Sequence, residues 1–237
     1  MITTIENMHY DFKMKLNKID SQKYRNLQVQ EIDWKLNEAQ WLLIKTITEP
    51  RIQNKYGFET NRRTIDDIRT LVRNDSPLVL NQTTNDSYTA SLPNDYMFYA
   101  SAYVIADKGN CKDKRLRFIT RQHNDKFQES PFDESSFEWR EINGRFYDSG
   151  IKVFAVDFTP KTIVLDYIRK PLYMHYANGT INGTYNLPDG TILTGKQDSE
   201  LPEHMISEIV DLAVLITTGD LQIPDYNIKL NKFNSNN

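Results

Sequence analysis

Glu200, His204 and Glu208 are spaced four apart, and two carboxylates with an imidazole on one helix face could hold a divalent cation. Glu200 stands at the very edge of the helix. A solvated acidic helix start accounts for the same residues without a metal or the supporting groups a metal site needs. His9, His123 and His175 lack companions at ligand spacing and read as surface or hydrogen-bonding histidines. Asp66–Asp67 and Asp133–Glu134 are acid pairs, but general acid/base chemistry places its carboxylates across a substrate, which sequence neighbours seldom achieve. The first pair fits the opening turn of a helix, where acids favour the positive end of the dipole. The second fits a solvated loop.

Two basic clusters could meet phosphate: Arg62–Arg63, and Lys112, Lys114, Arg115 and Arg117. Asp113 splits the second, and a solvated strand entrance explains it as well. The phosphate loop GxxxxGK[ST], the dinucleotide loop GxGxxG, the GxSxG elbow and the HExxH zinc helix are all absent from the sequence. Cys111 is the only cysteine, so neither an intrachain disulfide nor a thiolate zinc site can form, and a reducing compartment suits the chain. Asn81, Asn85, Asn178 and Asn182 open Asn-x-Ser/Thr triplets, but no secretory signal accompanies them. Trp34 and Trp41, seven apart, could form a cofactor or partner surface; helical tryptophans at that spacing read as core. No catalytic, cofactor-binding or metal-binding residue is assigned on these grounds, and no cofactor is expected.

The elements that would position such residues begin with SELPEHMISEIVDLAVLITTGD, Ser199 to Asp220, the most apolar run of the chain. Met205, Ile209, Leu212 and Ile216 form one row, and Ile206, Val210, Ala213 and Thr217 a second beside it. Two adjacent rows predict a buried helix from about Pro202 to Thr218, with Gly219 as its stop. Near the start, Thr3 and Glu6 have capping-box spacing, and Ile5, Met8, Phe12, Leu16 and Ile19 step as a helix over residues 4–18. A second helix is predicted over 28–48 from Val29, Ile32, Leu36, Ala39, Leu43 and Ile47. A third should start at Thr64, use Ile65, Ile68, Leu71 and Val72, and end at Asn74–Pro77.

From Pro77 to Pro171 strands are expected at Tyr96–Ala106, Arg115–Gln122, Phe137–Ile142, Ile151–Phe158 and Thr162–Ile168, separated by DKGN, HNDK, ING and TPK. TPK is short enough for a hairpin. His123–Ser136 belongs to a long polar stretch expected to be a surface loop. Thr184–Leu187 and Thr191–Thr194 flank Pro-Asp-Gly and predict a projecting hairpin within Tyr173–Gly195. The Asn-rich tail after Gly219 has no periodicity and should be mobile unless a partner holds it.

The predicted class is therefore α+β: a helical bundle of three N-terminal helices plus a C-terminal helix, with an inserted antiparallel β subdomain and a projecting hairpin. The parts are 1–77 helical, 78–171 β, 172–198 hairpin, 199–220 closing helix and 221–237 tail. With 237 residues, 39% apolar and 26% charged, the chain can bury a core and has ordinary soluble composition. Its net charge of −3 argues against a nucleic-acid-coating role. No apolar run is long enough for a bilayer, so the chain is expected to be made in the cytoplasm and to stay soluble.

Several stretches together resemble the head-to-tail connector (adaptor or ring) proteins of short-tailed, crAss-like bacteriophages. IDSQKYRNLQVQEIDWKLNEAQWLLIKT resembles their opening, with Glu31, Leu36, Asn37, Glu38 and Ala39 in the helix pattern. GFETNRRTIDDIRTLV, SLPNDYMFYASAYV, VLDYIRKP and ELPEHMISEIVDLAV follow in the family's order, so the resemblance covers about residues 13–220. It implies a non-enzymatic virion protein: a homo-oligomeric ring, expected twelvefold, beneath the portal. Such a ring extends the DNA channel without sequence-specific binding, has no membrane partner, and offers a surface to tail proteins. Residues 173–195 and 220–237 are expected to reach neighbouring subunits. Other neck, tail or head-completion roles, a metal-dependent enzyme using Glu200, His204 and Glu208, and a nucleic-acid module using Lys112–Arg117 stand as alternatives.

Overall fold

The computed structural model describes residues 4–16, 27–48, 66–121, 134–177 and 184–221. The chain divides into two compact units, Met1–Thr70 with Pro171–Asn237, and Leu71–Lys170.

The first unit is built on three helices, α1 (Ile5–Leu16), α2 (Val29–Thr48) and α3 (Glu203–Asp220). Ile5, Met8, Phe12 and Leu16 of α1 are buried, as their stepping predicts. Its cap, however, is Thr4, whose hydroxyl accepts the Asn7 N–H at 3.4 Å; Thr3 and Ile19 lie outside the described residues. Both apolar rows of α3 are inside except the half-buried Ile216, and α1 and α2 each pack on this helix. Pro202 precedes its first turn without a side-chain cap, and the helix runs through Gly219 to Asp220, with Leu221 as its C-cap. Among the described residues two small ribbons accompany these helices. In one, β9 (His175–Ala177) pairs antiparallel with β12 (Gly195–Gln197); in the other, β10 (Tyr185–Asn186) pairs with β11 (Ile192–Leu193). The Pro-Asp-Gly hairpin thus forms, but Tyr185 and Leu193 are buried with Ala177, so it lies down on its own unit and does not project.

The second unit is one curled sheet of eight strands: β1 (Val72–Val79), β2 (Asn81–Thr84), β3 (Ser87–Ser91), β4 (Tyr96–Lys108), β5 (Cys111–Thr120), β6 (Glu141–Tyr147), β7 (Gly150–Phe154) and β8 (Thr159–Arg169). Their order is β1-β8-β4-β5-β6-β7-β3-β2. Only β5 and β6 run parallel; the other pairs are antiparallel. Val104, Leu116, Ile142, Ile151, Val153, Ile163 and Leu165 fill its interior, with Tyr99, Phe118 and Phe146 in mutual edge-to-face contact.

This architecture corrects the expected fold class. Among the described residues strand exceeds helix, 43% against 32%, and a mixed eight-stranded sheet replaces the expected helical bundle with an antiparallel insert. The third helix is the main casualty. Residues 66–68 are helical, a 3-10 turn follows at Arg69–Leu71, and Val72 already opens β1. Asn74–Pro77, read as a helix stop, is a bulge in that strand. Asp75 sits at φ 53°, and its N–H donates to the Asp166 carboxylate at 2.8 Å. Pro77 is tolerated because β1 is an edge strand, where a missing donor costs nothing. TPK makes no hairpin: Pro160 and Lys161 belong to β8, which neighbours β4 and β1, not β7. ING is no turn either. Asn143 and Gly144 lie mid-strand in β6, and the reversal comes after Tyr147.

Gly144 is there because nothing larger fits. A Cβ would lie 2.4 Å from the Phe118 ring and 2.6 Å from the Lys152 carbonyl oxygen, and the ladder fixes that oxygen. Gly144→Ala is expected to destabilise the protein by about 3 kcal/mol, the upper range of overpacking. A urea melt should show a lower midpoint at unchanged slope.

Candidate functional site

The α2 helix carries a polar row, Asp33, Asn37 and Gln40, at steps of four and three, and all three are buried. Each needs a partner to offset desolvation. For Asn37 it is the backbone just before β9: its amide donates to the Met174 carbonyl at 2.7 Å and its carbonyl accepts the Met174 N–H at 2.9 Å. Asp33 continues the pairing by accepting the Tyr176 N–H at 3.0 Å. The two side chains thus act as a substitute strand edge along residues 174–176.

Asp33 has more to do. Its other oxygen accepts from His9 Nε2 at 2.6 Å, and the Tyr185 hydroxyl donates to the oxygen that holds Tyr176. A carboxylate offers only acceptors, so Nε2 carries the His9 proton in this bond. One buried carboxylate therefore joins α1, α2, β9 and the β10–β11 hairpin. Burial, aided by the nearby Asp33 charge and opposed by a hydrogen bond with Asn37, pushes the Tyr173 phenol up to about 12. Burial first, then the Asp33 hydrogen bond and charge, push Tyr185 higher still.

The pH consequence follows in sign. Unfolded tyrosine ionises near about 10. These phenols stay neutral longer in the folded state, so their contribution to stability is complete below about pH 10 and is lost as pH rises through their folded values. Alkaline unfolding should set in above about pH 10, with Tyr173 and Tyr185 ionising only as the chain opens. Phenolate absorbance recorded beside far-ultraviolet dichroism checks this. The Tyr173→Phe, Tyr185→Phe double variant should show a shallower fall of stability across the same range.

The residues singled out in the sequence are scattered, apart from one pair, His204 and Asp67. Glu200 precedes α3 and accepts the Leu172 N–H at 2.8 Å. His204 Nε2 meets the Asp67 carboxylate at 2.6 Å, and Asp67 is buried, so its role extends beyond a helix start. Glu200, His204 and Glu208 do not converge, and no group of three potential metal ligands occurs among the described residues. Asp66 stands 3.9 Å from Arg69. Three of the four β5 cations are engaged: Lys112 pairs with Asp107 at 3.4 Å, Lys114 lies over the Phe137 ring and Arg115 over Tyr103, while Arg117 is exposed. His9 and His175 are buried. Arg62, Arg63, His123 and Asp133 lie outside the described residues, as do Asn178 and Asn182.

Trp34 and Trp41 overturn their expected place in the core, being 51% and 44% exposed. The polar row took the buried position that size alone would assign to them. Leu42, next to Trp41, is equally open, and α1 exposes Tyr10 and Met14. Trp34 borders a groove of about 500 Å³ with Leu27, Pro188 and Leu221 as its apolar walls. Trp139, on the turn before β6, is 82% exposed. No helix among the described residues is long and apolar enough to cross a membrane. No family model matches the chain, and no curated protein matches it.

Proposed function

We propose that this chain is a virion structural protein that forms a ring in the portal–tail connector of a short-tailed bacteriophage. It acts by assembly, extending the DNA channel and giving tail components an attachment surface. The observation that carries the reading is the outer face of α2. Trp41 and Leu42 stand open side by side on a helix whose opposite face is already committed to Ile32, Leu36, Ala39 and Leu43. Tryptophan, tyrosine and methionine are the residues that interfaces favour, and α1 adds Tyr10 and Met14. A ring needs two different complementary patches per subunit, which separate open faces can supply. The net charge of −3 suits a protein that lets DNA pass without gripping it. The order of family-like segments in the sequence supplies the specific assignment.

The test is mass in solution, alone and with the portal protein of the same virus, followed by imaging of large species. A closed ring, expected twelvefold, supports the reading. A monomer that ignores the portal overturns it.

A further inference from the structure

The groove beside Trp34 has its own logic, separate from ring formation. Its floor is the first turns of α2, Gln30, Glu31, Trp34 and Lys35, and its far wall is the last turn of α3, Thr217, Asp220 and Leu221. Pro188, at the tip of the β10–β11 hairpin, closes one side. About 500 Å³ lies within the range of sites that seat a few side chains. Leu221 is both a wall of the groove and the root of the segment that follows, residues 222–237.

We propose that this groove is the seat of the chain's own C-terminal segment. Pro224–Asp225 is a turn-prone pair three residues past the wall, placed to send the chain back. Tyr226, Ile228 and Leu230 then alternate with polar residues. That run is too short to define an element alone, yet extended backbone sets all three on one side at about 7 Å intervals. Lys232, on the same side, brings positive charge to a groove that carries Glu31 and Asp220, with Lys35 held by Asp220 and Glu38. A short tether gives the segment a millimolar effective concentration, about a thousandfold above a neighbour's at micromolar protein. The chain's own segment therefore wins the groove in the free subunit.

Trp34 reports the outcome. In a Trp41→Phe, Trp139→Phe background it is the only tryptophan. Acrylamide quenching is compared between the full chain, a chain ending at Leu221, and a full chain with Tyr226, Ile228 and Leu230 changed to Ser; far-ultraviolet dichroism verifies that each is folded. The expected result is quenching at least threefold weaker in the full chain than in the other two, independent of protein concentration. A peptide of residues 222–237 should restore protection to the shortened chain saturably. Equal quenching in all three overturns the proposal. Protection that grows with protein concentration also overturns it, and gives the groove to a second copy. Neither result depends on whether a ring forms with the portal.

Discussion

Asp33→Ala is expected to lower the stability of the protein by about 3–5 kcal/mol, the cost of removing one partner from a buried charged network. Four elements meet at this carboxylate, and deletion leaves each donor facing a void. His9 and Tyr185 are 5% and 7% exposed, so water cannot take over without opening the unit. A buried donor left unmade costs about 1–3 kcal/mol, and three donors are stranded at once. Against a total of about 5–15 kcal/mol, the loss is severe. Asp33→Asn should cost less, because its carbonyl oxygen still accepts from Tyr176 or Tyr185 and its amide can donate to a His9 tautomer with a bare Nε2. Tyr185→Phe removes one donor and should cost about 1 kcal/mol. Denaturant melts of the three variants should rank in that order. An Asp33→Ala protein within 1 kcal/mol of the parent would show that the network merely fills space.

This network also marks where the sequence stops being readable. The rows of α1 and α3 were legible because apolar periodicity reports directly on which side of a helix is dry: Ile5, Met8 and Phe12, and Met205, Ile209 and Leu212, are all inside. On α2 the same logic found Ile32, Leu36, Ala39 and Leu43 but misplaced the tryptophans. Nothing in the sequence singles out Asp33 and Asn37 as a buried pair, because Met174, Tyr176 and Tyr185 lie 137 and more positions away, and the first two are met through backbone groups without sequence identity. The signal that was present is geometric: Asp33, Asn37 and Gln40 form a stripe beside the apolar row. In the sheet, Asn, Asp, Ser and Pro at 74–77 carry turn chemistry truly enough. A bulge on an edge strand uses the same φ > 0 position and the same missing donor as a helix stop. Gly144 misled for a related reason, since a glycine demanded by a ring packed overhead is indistinguishable from one demanded by a turn.

Trp41→Glu together with Leu42→Glu is expected to abolish ring formation with the portal while leaving the subunit folded. Both side chains are already close to half exposed, so adding charge there costs the monomer little. At an interface the same change is severe. Tryptophan at the centre of a contact contributes about 2 kcal/mol or more, equivalent to about a 30-fold loss in affinity, and each buried carboxylate adds a desolvation cost. A ring magnifies the effect, because every subunit uses the patch once and closure needs all contacts together. The control is Trp139→Glu, on the exposed turn of the sheet unit and 82% open, which should leave ring formation intact if α2 carries the contact. Light scattering and imaging of each variant with the portal separate the cases. Rings formed equally well by the α2 double variant would remove that face from the assembly, and with it the main structural support for a connector role. Rings lost only on Trp139→Glu would move the contact to the turn before β6.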